Sequence, residues 1–181
     1  MRENNAESEL MKFRMLLAML LIAGCSSMQS GKLTDPQIAM MMRIINLGEI
    51  RESQVARDKT ANTTVREFAQ TMINDHEAEN NKAESAMSAK DVNSEDTPMS
   101  RQLDAQSGAA TDRLRALSGA ALDRAYIDRQ VDAHQGGLKL IDTQLIPNAR
   151  KKVVKDELTD LRKLVEKHLT RAKQIQSSLP R

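Results

Sequence analysis

The sequence predicts an all-α protein, an up-down four-helix bundle with one extra short helix, spanning residues 35–179. Three observations lead there. Apolar residues recur at helical spacing in four long stretches. Helix formers (Ala, Leu, Met, Glu, Lys, Arg, Gln) dominate, while aromatics are 2% of the chain and Trp is absent. The punctuation between the stretches is short, which makes successive helices neighbours.

The first element is Met11 to Ser27. Lys12 and Arg14 form a positive n-region, and Met15 to Ala23 is an apolar run too short to span a bilayer. Residues 1–24 therefore read as a secretory signal peptide. Glu3, Glu7 and Glu9 precede the n-region, where acidic residues do not belong, so residues 1–10 read as an over-long start ahead of Met11. A tolerated extension is the alternative. Ile22-Ala23-Gly24-Cys25 resembles the lipobox of bacterial lipoproteins, and it holds the only cysteine. That resemblance implies cleavage before Cys25, fatty acylation of its thiol and a lipidated tether over 25–34. An ordinary signal with a chance cysteine is the alternative. The resemblance also places the chain in a bacterial envelope, and Ser26 in place of Asp implies the outer membrane facing the periplasm over the inner one.

Charge excludes one class of function. Lys+Arg 27 against Asp+Glu 25 gives +2. The first 24 residues carry Arg2, Lys12 and Arg14 against Glu3, Glu7 and Glu9, so their removal changes nothing. A balance this near neutral, with no aromatic platforms, gives no case for nucleic acid.

Thr34-Asp35-Pro36 is a helix start, a capping side chain followed by Pro in the first turn. The first helix is predicted over about Pro36–Lys59, with Ile38, Met41, Met42, Ile45 and Ala56 inward. Met40-Met41-Met42 has soft-ligand character, although core filling by two of the three is the plainer reading. Thr60 to Thr64 is a polar break, and Thr64 with Glu67 has capping-box spacing. The second helix is predicted to about Lys90, and Asp91 to Pro98 as a loop. A shorter helix carries Leu103, Ala110, Leu114 and Leu117 as far as Ser118-Gly119. The third long helix runs over about Ala121–Leu145, and Gly136-Gly137 lowers helix propensity within it, leaving room for a kink. Pro147-Asn148 turns the chain into the last helix, about Lys151–Ser177.

The three histidines of the chain, His76, His134 and His168, fall on three different long helices. Each projects near the middle of its apolar stripe at 100° per residue. The remaining long helix turns Glu49 and Glu52 the same way. Three imidazoles and a carboxylate pointing into one bundle suit a transition metal ion, zinc, copper or iron. Counted from Pro147, however, His168 lies more than a turn deeper than His134, and Gln130 matches its depth better. The same residues can therefore form a hydrogen-bonded ladder that sets helix register. Di-iron and di-manganese bundles need Glu-x-x-His on two helices. Here Ile73, Val131 and Val165 stand three before the histidines. No hydrolase motif or P-loop occurs. Tyr126 beside Gln130 and His134 offers proton transfer, but no nucleophile accompanies it, so an enzyme is the least supported class.

Four segments carry a resemblance: GEI at Gly48–Ile50, FAQTMINDH at Phe68–His76, DRAYIDRQVDAH at Asp123–His134 and KHLTRA at Lys167–Ala172. Together they resemble the domain of unknown function 4142 family of exported bacterial proteins. The resemblance implies a ferritin-like bundle and marks Glu49, Asp75, His76, Tyr126, Gln130, His134 and His168. It alone separates Glu49 from Glu52 as the fourth candidate ligand, and it assigns Asp75, Tyr126 and Gln130 supporting places. The continuous charged helix through Leu161–Lys167 departs from the family, which often has a small residue and Pro ahead of the last His. Two functions follow from these readings. One is a lipid-anchored metal-binding bundle. The other is a non-catalytic envelope or stress-related interaction protein whose polar cluster is structural.

Overall fold

The computed structural model describes residues 32–180. The signal, Cys25 and most of the tether lie outside that range. Among the described residues five main helices follow one another: α1 (Asp35–Lys59), α2 (Thr63–Ser88), α3 (Pro98–Arg115), α4 (Gly119–Leu140) and α5 (Lys152–Ser178). No strand occurs among the described residues, and none of their helices is long and apolar enough to cross a membrane.

The starts of the helices follow local chemistry. Thr34 caps α1 in a reciprocal box with Gln37, and Pro36 occupies the first turn. Thr97 does the same for α3 with Ser100. The cap of α2 differs from the sequence expectation. Asn62, not Thr64, accepts the backbone N–H of Val65, so the helix begins one residue before Thr64. An Asn side chain reaches that N–H at least as well as a Thr. Gly119 opens α4 at φ +55°, a left-handed conformation that disfavours a side chain.

The helix does not break at Gly136-Gly137. Helix α4 runs through both glycines, and the irregularity comes later, as a wide turn over Ile141–Leu145 in which Ile146 N–H donates to Ile141 O. A short helical turn, Ile146–Asn148, ends it. Two adjacent glycines lower helix propensity, but packing of the flanking apolar turns holds the segment helical.

The helices form two up-down hairpins, α1–α2 and α4–α5, that interlock. Helix α3 carries the chain from the far end of α2 back to the start of α4 and packs along α1. This is the crossover connection of ferritin-like bundles. Gly48 permits the close approach: a Cβ there would stand 2.8 Å from Ser107 Oγ and 3.1 Å from Ser107 Cβ.

The core divides into two apolar clusters. One gathers Ile38, Met41, Met42, Ala83, Met87, Ile141, Leu145, Val154 and Leu158. The other gathers Ala56, Val65, Phe68, Met72, Leu122, Tyr126, Ile127, Ala172 and Ile175. On all four long helices the residues between these groups are polar and buried: Asn46, Glu49, Glu52 and Ser53; His76, Glu79 and Asn80; Gln130 and His134; His168. A polar layer therefore crosses the middle of the bundle. Met41 and Met42 belong to the first apolar cluster, as core filler would.

At the bundle end, the buried carboxylate of Asp35 accepts the backbone N–H groups of Arg150 (2.8 Å) and Lys151 (2.9 Å). That ties the start of α1 to the turn before α5. Asp35→Ala is expected to cost about 2 kcal/mol, because two partly buried donors lose a charged acceptor. A urea midpoint lowered at unchanged slope is the measurement.

Candidate functional site

The middle layer brings His76, His134 and His168 together. Their rings stand 5.1 Å (His76–His168), 5.7 Å (His134–His168) and 6.0 Å (His76–His134) apart between centroids. One nitrogen from each lies within 4.8 Å of the other two, and all three side chains are buried. The depth mismatch expected from sequence disappears because the count from Pro147 included the turn. Counted from the helix ends at Asn148 and Lys152, His134 and His168 lie at nearly equal depth.

Each ring is held from behind by an oxygen. His76 Nδ1–H donates to Asn46 Oδ1 at 2.8 Å. His134 Nδ1–H donates to the Gln130 carbonyl, one turn back on α4, at 2.9 Å. His168 Nε2–H donates to Asp75 Oδ2 at 2.9 Å, and Lys167 Nζ donates to the same oxygen at 3.0 Å. A carbonyl or carboxylate oxygen can only accept, so these contacts place the proton of each neutral ring on its outer nitrogen. The nitrogens left with lone pairs are His76 Nε2, His134 Nε2 and His168 Nδ1. His168 Nδ1 and His76 Nε2 are 3.3 Å apart. Two nitrogens about 2.05 Å from one tetrahedral ion stand about 3.3 Å from each other. With the Asn46 amide turned over, His76 could donate to His168 and satisfy that pair. His134 Nε2 would still have no partner.

Burial sets the electrostatics. It pushes His134 and His168 down to about 4, in His168 against the pull of Asp75. His76 is pushed well below its ordinary value by burial and by the two other rings. Neutral imidazoles are what a metal needs. In the metal-free bundle they contribute stability above the unfolded value near 6.5 and lose it as pH falls toward about 4. Asp75 is lowered by its bonds to His168 and Lys167, which outweigh the opposing cost of burial.

The structure separates the two inward glutamates. Glu52 is 1% exposed and takes both arms of a fork from Arg129, Nε at 2.9 Å and Nη2 at 3.0 Å. Glu49, 7% exposed, keeps Oε2 without a partner. Burial raises Glu49 to about 7, against the field of Arg129 and the adjacent Gln130 amide. Glu49 stands outside the mutual 4.8 Å set, which contains the histidines alone. Both side-chain atoms of Gln130 are also buried and unpartnered. Tyr126 is fully buried, shares a 2.8 Å hydrogen bond with Ser53 Oγ, and is raised well above its ordinary value by burial.

Glu49 has a consequence for stability. Its folded value of about 7 exceeds the unfolded 4.5, so its contribution is full below pH 4.5 and is lost as pH rises to about 7. Glu49→Gln, a neutral isostere, is expected to leave metal-free stability unchanged below pH 4.5 and to raise it by on the order of 3 kcal/mol above pH 7. Paired denaturant titrations at the two pH values test this, and an equal effect at both would contradict it.

Sequence reasoning missed Asn46, Ser53 and Arg129. Asn46 was findable, since it falls three residues before Glu49 on the same stripe. Arg129 was not, because its stem crosses to Glu52 from the edge of α4. A second buried acidic group, Glu79 and Glu157, was also missed. Lys82 serves it and the exposed Asp160 together, 3.1 Å from Glu157 and 2.5 Å from Asp160.

With this geometry in place, comparison with known proteins adds two findings. The profile of a domain of unknown function, DUF4142, matches residues 23–175. A solved structure from Streptomyces coelicolor, described as a secreted DUF305 protein, superposes with a TM-score of 0.66 at 14% identity, covering 80% of this chain and 92% of that one. That likeness shows the fold. No curated protein sequence matches.

Proposed function

The chain belongs to the DUF4142 family, and we propose that its bundle binds one transition metal ion, zinc, copper or iron, through His76 Nε2, His134 Nε2 and His168 Nδ1. One observation carries this reading. Three buried imidazoles each have one nitrogen engaged by an oxygen, bring one nitrogen apiece within 4.8 Å of the others, and leave His134 Nε2 with no partner. Metal-binding histidines are held this way, each outer N–H given to a carboxylate or carbonyl that fixes tautomer and orientation. A structural ladder would place a donor between each pair of rings.

Three protein nitrogens leave a fourth position open. Glu49 is the carboxylate with a free oxygen in the same layer, and we assign it to that side of the centre. Glu52 is consumed by Arg129. Asp75, Gln130 and Tyr126 are positioning residues in this reading, acting through His168, through His134 and through Ser53.

The leader places the bundle outside the cytoplasm, anchored by acylated Cys25 to the periplasmic face of the outer membrane. The motif Ile22-Ala23-Gly24-Cys25 supports that placement, and Cys25→Ala is expected to abolish fatty-acid labelling. The non-catalytic interaction role is the competing function, and metal analysis separates the two. Protein purified without a polyhistidine tag, stripped and titrated with Zn²⁺, Cu²⁺ or Co²⁺, is expected to bind one equivalent and to melt higher when loaded. Failure to take up any of the three, with melting indifferent to chelator, would leave the cluster structural.

A further inference from the structure

We propose that the groove between α1, α3 and α4 binds a small organic cation, a primary amine carried on a compact apolar body, with its ammonium group on Glu49. This is a second binding site, beyond the histidine cluster, and none of the three histidines lines it.

The groove holds about 340 Å³. Ile44, Ile45 and Leu103 line it from α1 and α3, and Ala133 and Leu140 line it from α4. A metal ion gains nothing from such walls, whereas they bury the body of an organic ligand. Glu49 lines the same groove. It is 7% exposed and keeps Oε2 without a partner. A buried acceptor left unpaired is where a ligand's N–H group gains most. Charge then selects a cation. Glu52 and Arg129 neutralise each other through their fork. Arg51, which reaches Ser107 at the α3 edge, is paired with Asp104. Glu49 and Asp132 remain as the excess. An ammonium complements that excess, and an anionic ligand would meet like charge.

Helix α4 leaves room for the occupant. Arg129, Ala133, Gly136 and Leu140 recur at helical spacing along the lining face, and Gly136 falls in its middle. A Cβ there would point into the groove, yet it would meet nothing within 4 Å. Gly136 has no positive φ, so the backbone does not require glycine. Packing within the chain does not require it either. Glycine lowers helix propensity at this position, and what it leaves is open space beside Glu49 and Asp132.

The test titrates the metal-free protein above pH 7, where Glu49 is ionised, and follows amide NMR shifts. Phenethylamine carries both charge and apolar body, phenethyl alcohol only the body, and methylammonium only the charge. Phenethylamine is expected to bind with a Kd on the order of 1 mM or below and to shift the amides of Gly48, Gly136 and Gly137. The other two probes are expected to bind about tenfold more weakly or worse. Gly136→Leu fills the groove while improving helix propensity, so it is expected to melt no lower than wild type and to lose about tenfold or more in phenethylamine affinity. Glu49→Gln is expected to erase the advantage of the amine over the alcohol. Equal binding of amine and alcohol by wild type, shifts confined to residues outside the groove, no shift with any probe, or wild-type affinity in Gly136→Leu would overturn the site. Retention of the amine preference in Glu49→Gln would overturn the place of the ammonium on Glu49. Each of these results leaves the histidine site as it stands.

Discussion

His134→Leu is expected to abolish stoichiometric metal binding while leaving the metal-free bundle as stable as wild type or more so. The two halves of this result separate a ligand from a structural residue. As a ligand, His134 supplies one of three nitrogens, and its loss should exceed the roughly 10–100-fold affinity cost of losing an outer-sphere partner. As a core residue, it buries Nε2 with no hydrogen bond. Replacing a buried, half-satisfied ring by an apolar side chain removes that cost, while its one bond returns a carbonyl to its own helix. A register-setting ladder predicts the reverse, a loss of about 1–3 kcal/mol in the absence of metal. Asp75→Asn is the companion variant. It keeps an acceptor for His168 Nε2–H but loses the charge, so affinity should fall by about 10–100-fold with the stoichiometry intact. Competition against a chromophoric chelator reads both effects, and metal-free urea unfolding reads stability.

Arg129→Met is expected to destabilise the bundle by about 3 kcal/mol, and the double variant with Glu52→Gln to recover most of that. Glu52 is 1% exposed, so without Arg129 its carboxylate stays ionised without a partner or takes up a proton. Its value is already raised by burial and by Glu49 next to it, and held down by the Arg129 fork. Breaking a buried pair costs about 3–5 kcal/mol. The lower figure applies because the Arg129 side chain remains 33% exposed. Glu52→Gln removes the orphaned charge along with its partner. Equal losses in the single and double variants would mean that Arg129 acts through packing of its stem and not through Glu52.

These expectations share a cause. The bundle places a layer of polar groups between two apolar clusters, and that layer is less stable than an apolar one of the same shape. Glu49 ionises at a cost near neutral pH, Gln130 has no partner for its amide, and His134 has none for one nitrogen. Groups left in this condition in a well-packed core call for a bound water, an ion or a ligand to complete them.

The sequence by itself determined the helices and most of what they bury. Apolar residues repeat along the chain with the period of an α-helix, and capping residues act within a few positions of themselves, so both signals survive without a structure. Thr34-Asp35-Pro36 and the inward stripes of His76, His134 and His168 were legible for this reason. So was the absence of Glu-x-x-His, which is a matter of spacing alone. Tertiary structure decided the rest, because it depends on where helix ends fall in space. Helical periodicity tells which face a residue occupies, not how far along the bundle it meets its neighbours. The turn before Lys152 sets the depth of His168, and only the folded chain shows that it reaches His134 and His76. The difference in surroundings between Glu49 and Glu52 is of the same kind. Both lie on one stripe of α1, and what distinguishes them is an arginine from α4 that reaches one carboxylate and not the other.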